Sequence, residues 1–207
     1  MKLIDMNLTE YLDTVASDAP APGGGSASAL CGAQGAGLLA MVGRLTVCKE
    51  KYAAHFDACN QVIADADAVC KALTAQIDID TDAYAQMAGA FRLPKATDEE
   101  KAARKAAIRA ATIHAAEVPL ETMRLGLRGL KDAKLLCEGY NTNCASDVGC
   151  GVYGLLSCVR GAWLNVCINV GGLPGAEALE AEGKSIMDES EALAAELDKL
   201  VKAAISG

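Results

Sequence analysis

Aromatic residues are scarce in this chain of 207 residues, where Phe, Trp and Tyr together make up 4%. The core must then be filled by Ala, Leu, Val and Cys within a hydrophobic content of 52%. Strand-favouring side chains are sparse and Ala is abundant, so an all-α fold with closely approaching backbones is expected. Positive charge is also short, with 19 Lys and Arg against 27 Asp and Glu and a net charge of −8. Without a basic stripe there is no footprint for nucleic acid, and the balance suits an anionic membrane surface poorly. Histidine occurs only at His55 and His114, and the nine cysteines contain no Cys-x-x-Cys pair, so no metal site is expected. Those cysteines lie mostly among apolar residues at helical spacing and read as reduced core side chains of a cytoplasmic protein. The N-terminal residues carry acids where an export signal would carry bases.

What the chain has instead is glycine in an unusual place. "APAPGGGSASALCGAQGAGLLAMVG" (19–43) sets three glycines after two prolines and then continues without a charge. The run from Ser26 to Gly43 has the length of a membrane span, but its Ala, Gly and Ser content with Gln34 in the middle predicts a buried bundle helix. Ser28, Gly32, Ala36 and Ala40 form one row of small residues, and Gly25, Ala29, Ala33 and Gly37 form another. Such rows let helix axes approach more closely than Leu-lined faces do, within a subunit or at a subunit interface.

Along the chain, "NLTEYLDTVAS" predicts a short amphipathic helix with Leu8, Tyr11, Leu12 and Val15 on one face. A helical period runs from Tyr52 through Leu73 and continues, bent or interrupted, until Pro94. Thr97 with Glu100 forms a capping box that restarts helix, and Pro119 is expected to kink or break it. A loop, "GYNTNCASDVGCG", leads into a second apolar helix, and an amphipathic helix closes the chain from Glu177 to Ile205. With no linker or repeat, residues 1–207 read as one helical-bundle domain with long, closely packed central helices.

Three features could carry chemistry. Gly23, Gly24, Gly25 and Ser26 stand at a helix start, where exposed N–H groups favour an anion or a carbonyl, although the Gly-Lys-Ser/Thr of a P-loop is missing. In "DIDTD" (78–82), Asp78 and Asp82 share a helix face, and clustered carboxylates suit a general base or a cation's counter-ion as readily as a solvated turn. An EF-hand is excluded because Ala83 and Gly89 stand where Gly and Glu are needed. Asn141, Asn143 and Asp147 precede the second apolar helix, as a cap or as site groups. His114, mid-helix among alanines, reads as structural.

Four segments in this order, "PGGGSASALCGAQGAGLLAMVGRLT", "DIDTDAYAQMAGAFRLPKATDEEKAARKAAIRAA", "AAEVPL" and "NTNCASDVGCG…NVCINV", resemble the cyclodeaminase/cyclohydrolase family. That family includes the C-terminal domain of formiminotransferase-cyclodeaminase and stand-alone methenyltetrahydrofolate cyclohydrolases. The resemblance covers nearly the whole chain and implies an all-helical homodimer that takes a tetrahydrofolate derivative as substrate and needs no cofactor. It implies substrate binding at Gly23, Gly24, Gly25 and Ser26, with Asp82, Asp147 and Asn143 as catalytic groups. Lys49, Lys51 and Lys95 would meet the glutamate tail, although Glu50 interrupts the lysine run. It implies the cyclohydrolase first, with the cyclodeaminase and a non-catalytic folate-binding or oligomerising module as alternatives.

Overall fold

The computed structural model describes residues 2–206, so the outermost residues of the expected 1–207 domain lie outside the described part. The described residues contain helices and no strand. They form α1 (Leu8–Val15), α2 (Gly24–Val47), α3 (Phe56–Phe91), α4 (Asp98–Leu136), α5 (Ala145–Val170) and α6 (Glu177–Ser206). Short 3-10 turns cover Leu3–Asp5, Glu50–His55 and Thr142–Cys144. The predicted capping box forms: the Thr97 hydroxyl accepts from the Glu100 N–H, and the Glu100 carboxylate accepts from the Thr97 N–H. Asn7 and Glu10 make the same box at α1.

Helices α2 to α6 alternate in direction. Gly43, near the end of α2, faces Cys59 and Ile63 at the start of α3, whereas Gly25 faces Asp80 far along it. Ion pairs Arg124–Glu182, Lys131–Glu189 and Lys134–Glu196 tie α4 to α6. The small-residue rows of α2 pack inside the subunit. Gly32 lies against Leu73 and Cys158, and a Cβ at Gly35 would come within 2.6 Å of the Gly151 carbonyl oxygen. Closeness, not backbone freedom, is what these glycines provide, and it compensates for a core with few large rings. Leu39, Leu73, Leu120, Leu130, Leu136, Leu155 and Leu197 fill the remaining space. Helices α2 and α5 are each long and apolar enough to cross a membrane by length and composition; in the fold they pack side by side. All nine cysteines are free, with Cys48 and Cys150 exposed.

Some local expectations are corrected. Helix α4 runs unbroken through Pro119, for a reason that belongs to the cavity described below, and α3 is one continuous helix. On α1 only Tyr11 is buried, while Leu8, Leu12 and Val15 are exposed. The hydrophobic period fits a helix, but only one turn of its apolar face meets the bundle. Leu200 of α6 is also exposed, although Leu197 and Val201 beside it are buried.

One buried acid is a stability liability. Asp132 on α4 is 8% exposed, and its Oδ2 has no partner. Burial, reinforced by Asp65 and opposed by Arg128, pushes its carboxyl up to about 6. The folded chain therefore holds this proton more tightly than the unfolded chain. That stability is fully present below the ordinary carboxylate range and is lost as pH rises through about 6. Asp132→Asn is expected to stabilise the protein near neutral pH by up to about 3 kcal/mol, with the gain shrinking toward pH ~4. Thermal melts across pH check this, and equal melting temperatures for both proteins at neutral pH would overturn it.

Candidate functional site

At the end of the bundle where α2 begins, a cavity of about 600 Å³ opens between α2, α3, α4 and α5. Its lining includes Gly23, Gly24, Gly25, Asp80, Tyr84 and Phe91 on one side. Thr112 and Ala115 of α4, with Asn165, Ile168 and Asn169 of α5, supply the other. A mostly apolar wall with a few polar groups is the usual composition of a small-molecule site.

Asp80 is the acid of this cavity. Its Oδ2 accepts from the Ser26 N–H at 2.9 Å and lies 3.0 Å from the Ser26 hydroxyl, whose one proton is shared between that oxygen and the Ile77 carbonyl at 2.8 Å. The start of α2 is therefore not a vacant anion site, because an internal carboxylate already takes its Ser26 N–H. Burial pushes the Asp80 carboxyl up, and the two Ser26 hydrogen bonds pull it back only in part. No protein hydrogen bond reaches Oδ1 among the described residues, so one oxygen is anchored and the other is available. Successive glycines make room for this arrangement. Gly25 faces the Asp80 carboxylate so closely that a Cβ there would collide with it, and Gly24 faces the Asn165 amide.

The opposite wall is held by a displaced backbone hydrogen bond. Pro119 has no N–H to give the Ala115 carbonyl one turn earlier in α4. The Asn169 amide supplies the missing donor from α5, with Nδ2 2.7 Å from that oxygen. This is why α4 continues through its proline. Asn165 lies one turn earlier on α5 and donates from Nδ2 to the Gly161 carbonyl at 2.8 Å.

The residues singled out from sequence separate into two groups. Gly23, Gly24 and Gly25 line the cavity, and Ser26 anchors its carboxylate. Asp82 is exposed and outside the cavity lining. Helical geometry turns Asp80 away from both Asp78 and Asp82, and Asp78 instead accepts the Leu3 N–H at 2.7 Å. Asn143 and Asp147 lie at the other end of the bundle, beside Asn141, whose N–H donates to the Thr46 hydroxyl. Along α2 that end is roughly 30 Å away at about 1.5 Å per residue. Lys49 and Lys51 share it, Lys51 resting over the Tyr52 ring. Lys95 is exposed on the α3–α4 connection, four residues beyond the cavity-lining Phe91. Sequence reasoning passed over Asp80 within its own motif and gave Asn169 no role; the "N-x-x-x-N" spacing that puts Asn165 and Asn169 on one face was the available signal.

Arg160 of α5 pairs with Glu191 of α6 at the surface. No cluster of three metal-ligating side chains occurs among the described residues.

Comparison with known proteins gives this cavity a context. The sequence profile of the formiminotransferase-cyclodeaminase family matches residues 7–188. The chain is 38% identical over 199 residues to a methenyltetrahydrofolate cyclohydrolase of Methylorubrum extorquens, covering 95% of this chain and 96% of that one. It is 33% identical over 169 residues to the formimidoyltransferase-cyclodeaminase of Rattus norvegicus, covering 81% of this chain and 31% of that longer protein. A formiminotetrahydrofolate cyclodeaminase from Thermotoga maritima shares the fold at a TM-score of 0.81 and 23% identity, over 98% of this chain and 97% of that one. The chain belongs to the formiminotransferase-cyclodeaminase family.

Proposed function

We propose that the protein is a methenyltetrahydrofolate cyclohydrolase, hydrating 5,10-methenyltetrahydrofolate to 10-formyltetrahydrofolate in the cavity at the start of α2. The observation that carries this reading is the end-to-end similarity to a cyclohydrolase. A half-anchored, half-buried carboxylate in a cavity of suitable size supports it. The substrate carries a delocalised cation over N5, the methenyl carbon and N10. Asp80 Oδ1 faces that charge and removes a proton from water as the water oxygen bonds to the methenyl carbon. The C–N5 bond of the resulting carbinolamine then breaks. N5 gains a proton, N10 keeps the formyl group, and one proton is released overall. The α2 glycines let the folate approach the backbone, and the glutamate tail is assigned to Lys95, which is exposed four residues beyond the cavity-lining Phe91.

The same reading makes the protein cytoplasmic and homodimeric, with no cofactor needed for the hydration. The outward face of α5 supports a second copy, since Tyr153, Leu164 and Ile168 are exposed there at helical spacing. Ile168 also lines the cavity, so a dimer through this face would border the site.

Deamination of formiminotetrahydrofolate with ring closure is the second reading, favoured by the cyclodeaminase relatives. The decisive measurement follows the near-ultraviolet absorbance of methenyltetrahydrofolate with the purified protein, against spontaneous hydrolysis. The cyclohydrolase reading expects acceleration. No acceleration, with ammonia released from formiminotetrahydrofolate, would replace it with the cyclodeaminase, and neither activity would leave a folate-binding or assembly module.

A further inference from the structure

Donors and acceptors line different parts of the cavity: the Gly24 and Gly25 N–H groups stand at the start of α2, whereas the α5 wall offers acceptors. Asn165 and Asn169 stand one turn apart on the α5 wall, and each amide NH₂ already donates to a backbone carbonyl. Those carbonyls can only accept, so the amides cannot turn around without losing both bonds. Each NH₂ keeps a second proton, and the two Oδ1 atoms are left as acceptors that no donor reaches among the described residues. Thr112 has likewise committed its hydroxyl proton, to the Ile108 carbonyl at 2.8 Å. With Asp80 Oδ1 across the cavity, the arrangement calls for a ligand rich in N–H groups.

We infer that Asn165 and Asn169 determine specificity by accepting two N–H donors from one edge of the pterin. This rests on the folate reading above. On that edge the ring N8–H and the exocyclic 2-amine flank N1, so two donors are presented side by side to two acceptors one helical turn apart. Asn165 lies against Gly24, next to the Gly25–Asp80 contact, and therefore sits nearer the reacting carbon. It takes N8–H. Asn169, one turn farther along α5, takes the 2-amine. The lock on Asn169 comes from Pro119, so its carbonyl is oriented before any ligand arrives and pays no reorientation on binding.

A site built around a donor rejects an analogue lacking it, because the acceptor is then buried unpaired. The test is calorimetric binding of tetrahydrofolate and of its 2-desamino-2-methyl analogue to the full chain, which needs no turnover. The wild type is expected to prefer tetrahydrofolate by about tenfold or more. Asn169→Ala should erase most of that preference. Asn165→Ala should weaken both ligands and keep the preference, a split that general loosening of the fold would not produce. If Asn169→Ala does not fold, Pro119→Ala/Asn169→Ala returns an N–H to Ala115 within α4 and carries the same test. Equal affinities in the wild type, or a preference that survives loss of Asn169, would overturn the inference alone. Failure of the wild type to bind tetrahydrofolate would overturn it together with the folate reading.

Discussion

Asp80→Asn is expected to lower kcat for methenyltetrahydrofolate hydration by about a thousandfold while KM stays within about threefold. The amide can still accept from the Ser26 N–H, so the anchored half of the side chain survives. What disappears is the basic oxygen that deprotonates water and the negative charge facing the cation. Proton removal from water occurs only in the transition state, which is why the large loss falls on kcat, whereas the charge already attracts the cationic substrate and accounts for the small change allowed in KM. The fold should tolerate the change, because burial already disfavours the ionised carboxyl. In the wild type the active form is the deprotonated one, so the rate is lost as pH falls through a value above the ordinary carboxylate range. Stopped-flow absorbance with circular dichroism on the same samples checks the result. A variant with wild-type kcat would remove Asp80 from the mechanism.

The second large effect is expected from a single methyl group. Gly25→Ala should lower kcat by at least about a hundredfold, since the new Cβ would occupy the space of the Asp80 carboxylate. Gly24→Ala would bring its Cβ to 3.4 Å from the Asn165 amide nitrogen, a tight but tolerable contact, and should cost only a few-fold. At Gly23 a Cβ meets nothing within 4 Å, and Gly23→Ala should be close to wild type. Gly24 and Gly25 lie inside α2, where Ala is the better helix former, so lost activity should come without lost helicity. The graded order across three adjacent glycines separates a steric role from a conformational one. Equal losses at all three positions would sink the steric account.

Much of the architecture was legible because it rests on local physics. The Thr97–Glu100 capping box, the small-residue rows of α2 and the apolar period of α3 from Phe56 onward depend on side chains a few positions apart, and each forms, α3 without the expected bend or interruption. The failures come from what lies across the bundle. Nothing within α4 says that Pro119 leaves it unbroken, since the replacement donor sits 50 positions later at Asn169. The "DIDTD" motif identifies a region rich in acid, but which acid points inward depends on where α2 packs. The glycine turn is near Asp80 in space, whereas Asn143, Asp147, Lys49 and Lys51 stand at the opposite end. Sequence order kept both sets among the candidates, and only the antiparallel course of the helices separates them.

The Pro119–Asn169 exchange also means that stability and recognition are set against each other at one position. An alanine at residue 119 would return the missing N–H to α4, and a proline in a helix interior is about 3 kcal/mol less favourable than alanine. Repairing the helix would also release the Asn169 amide to swing, leaving a sturdier protein with a vaguer cavity wall. Engineering this chain for heat resistance by removing helix breakers would therefore trade discernment for endurance, and position 119 is the one to leave alone.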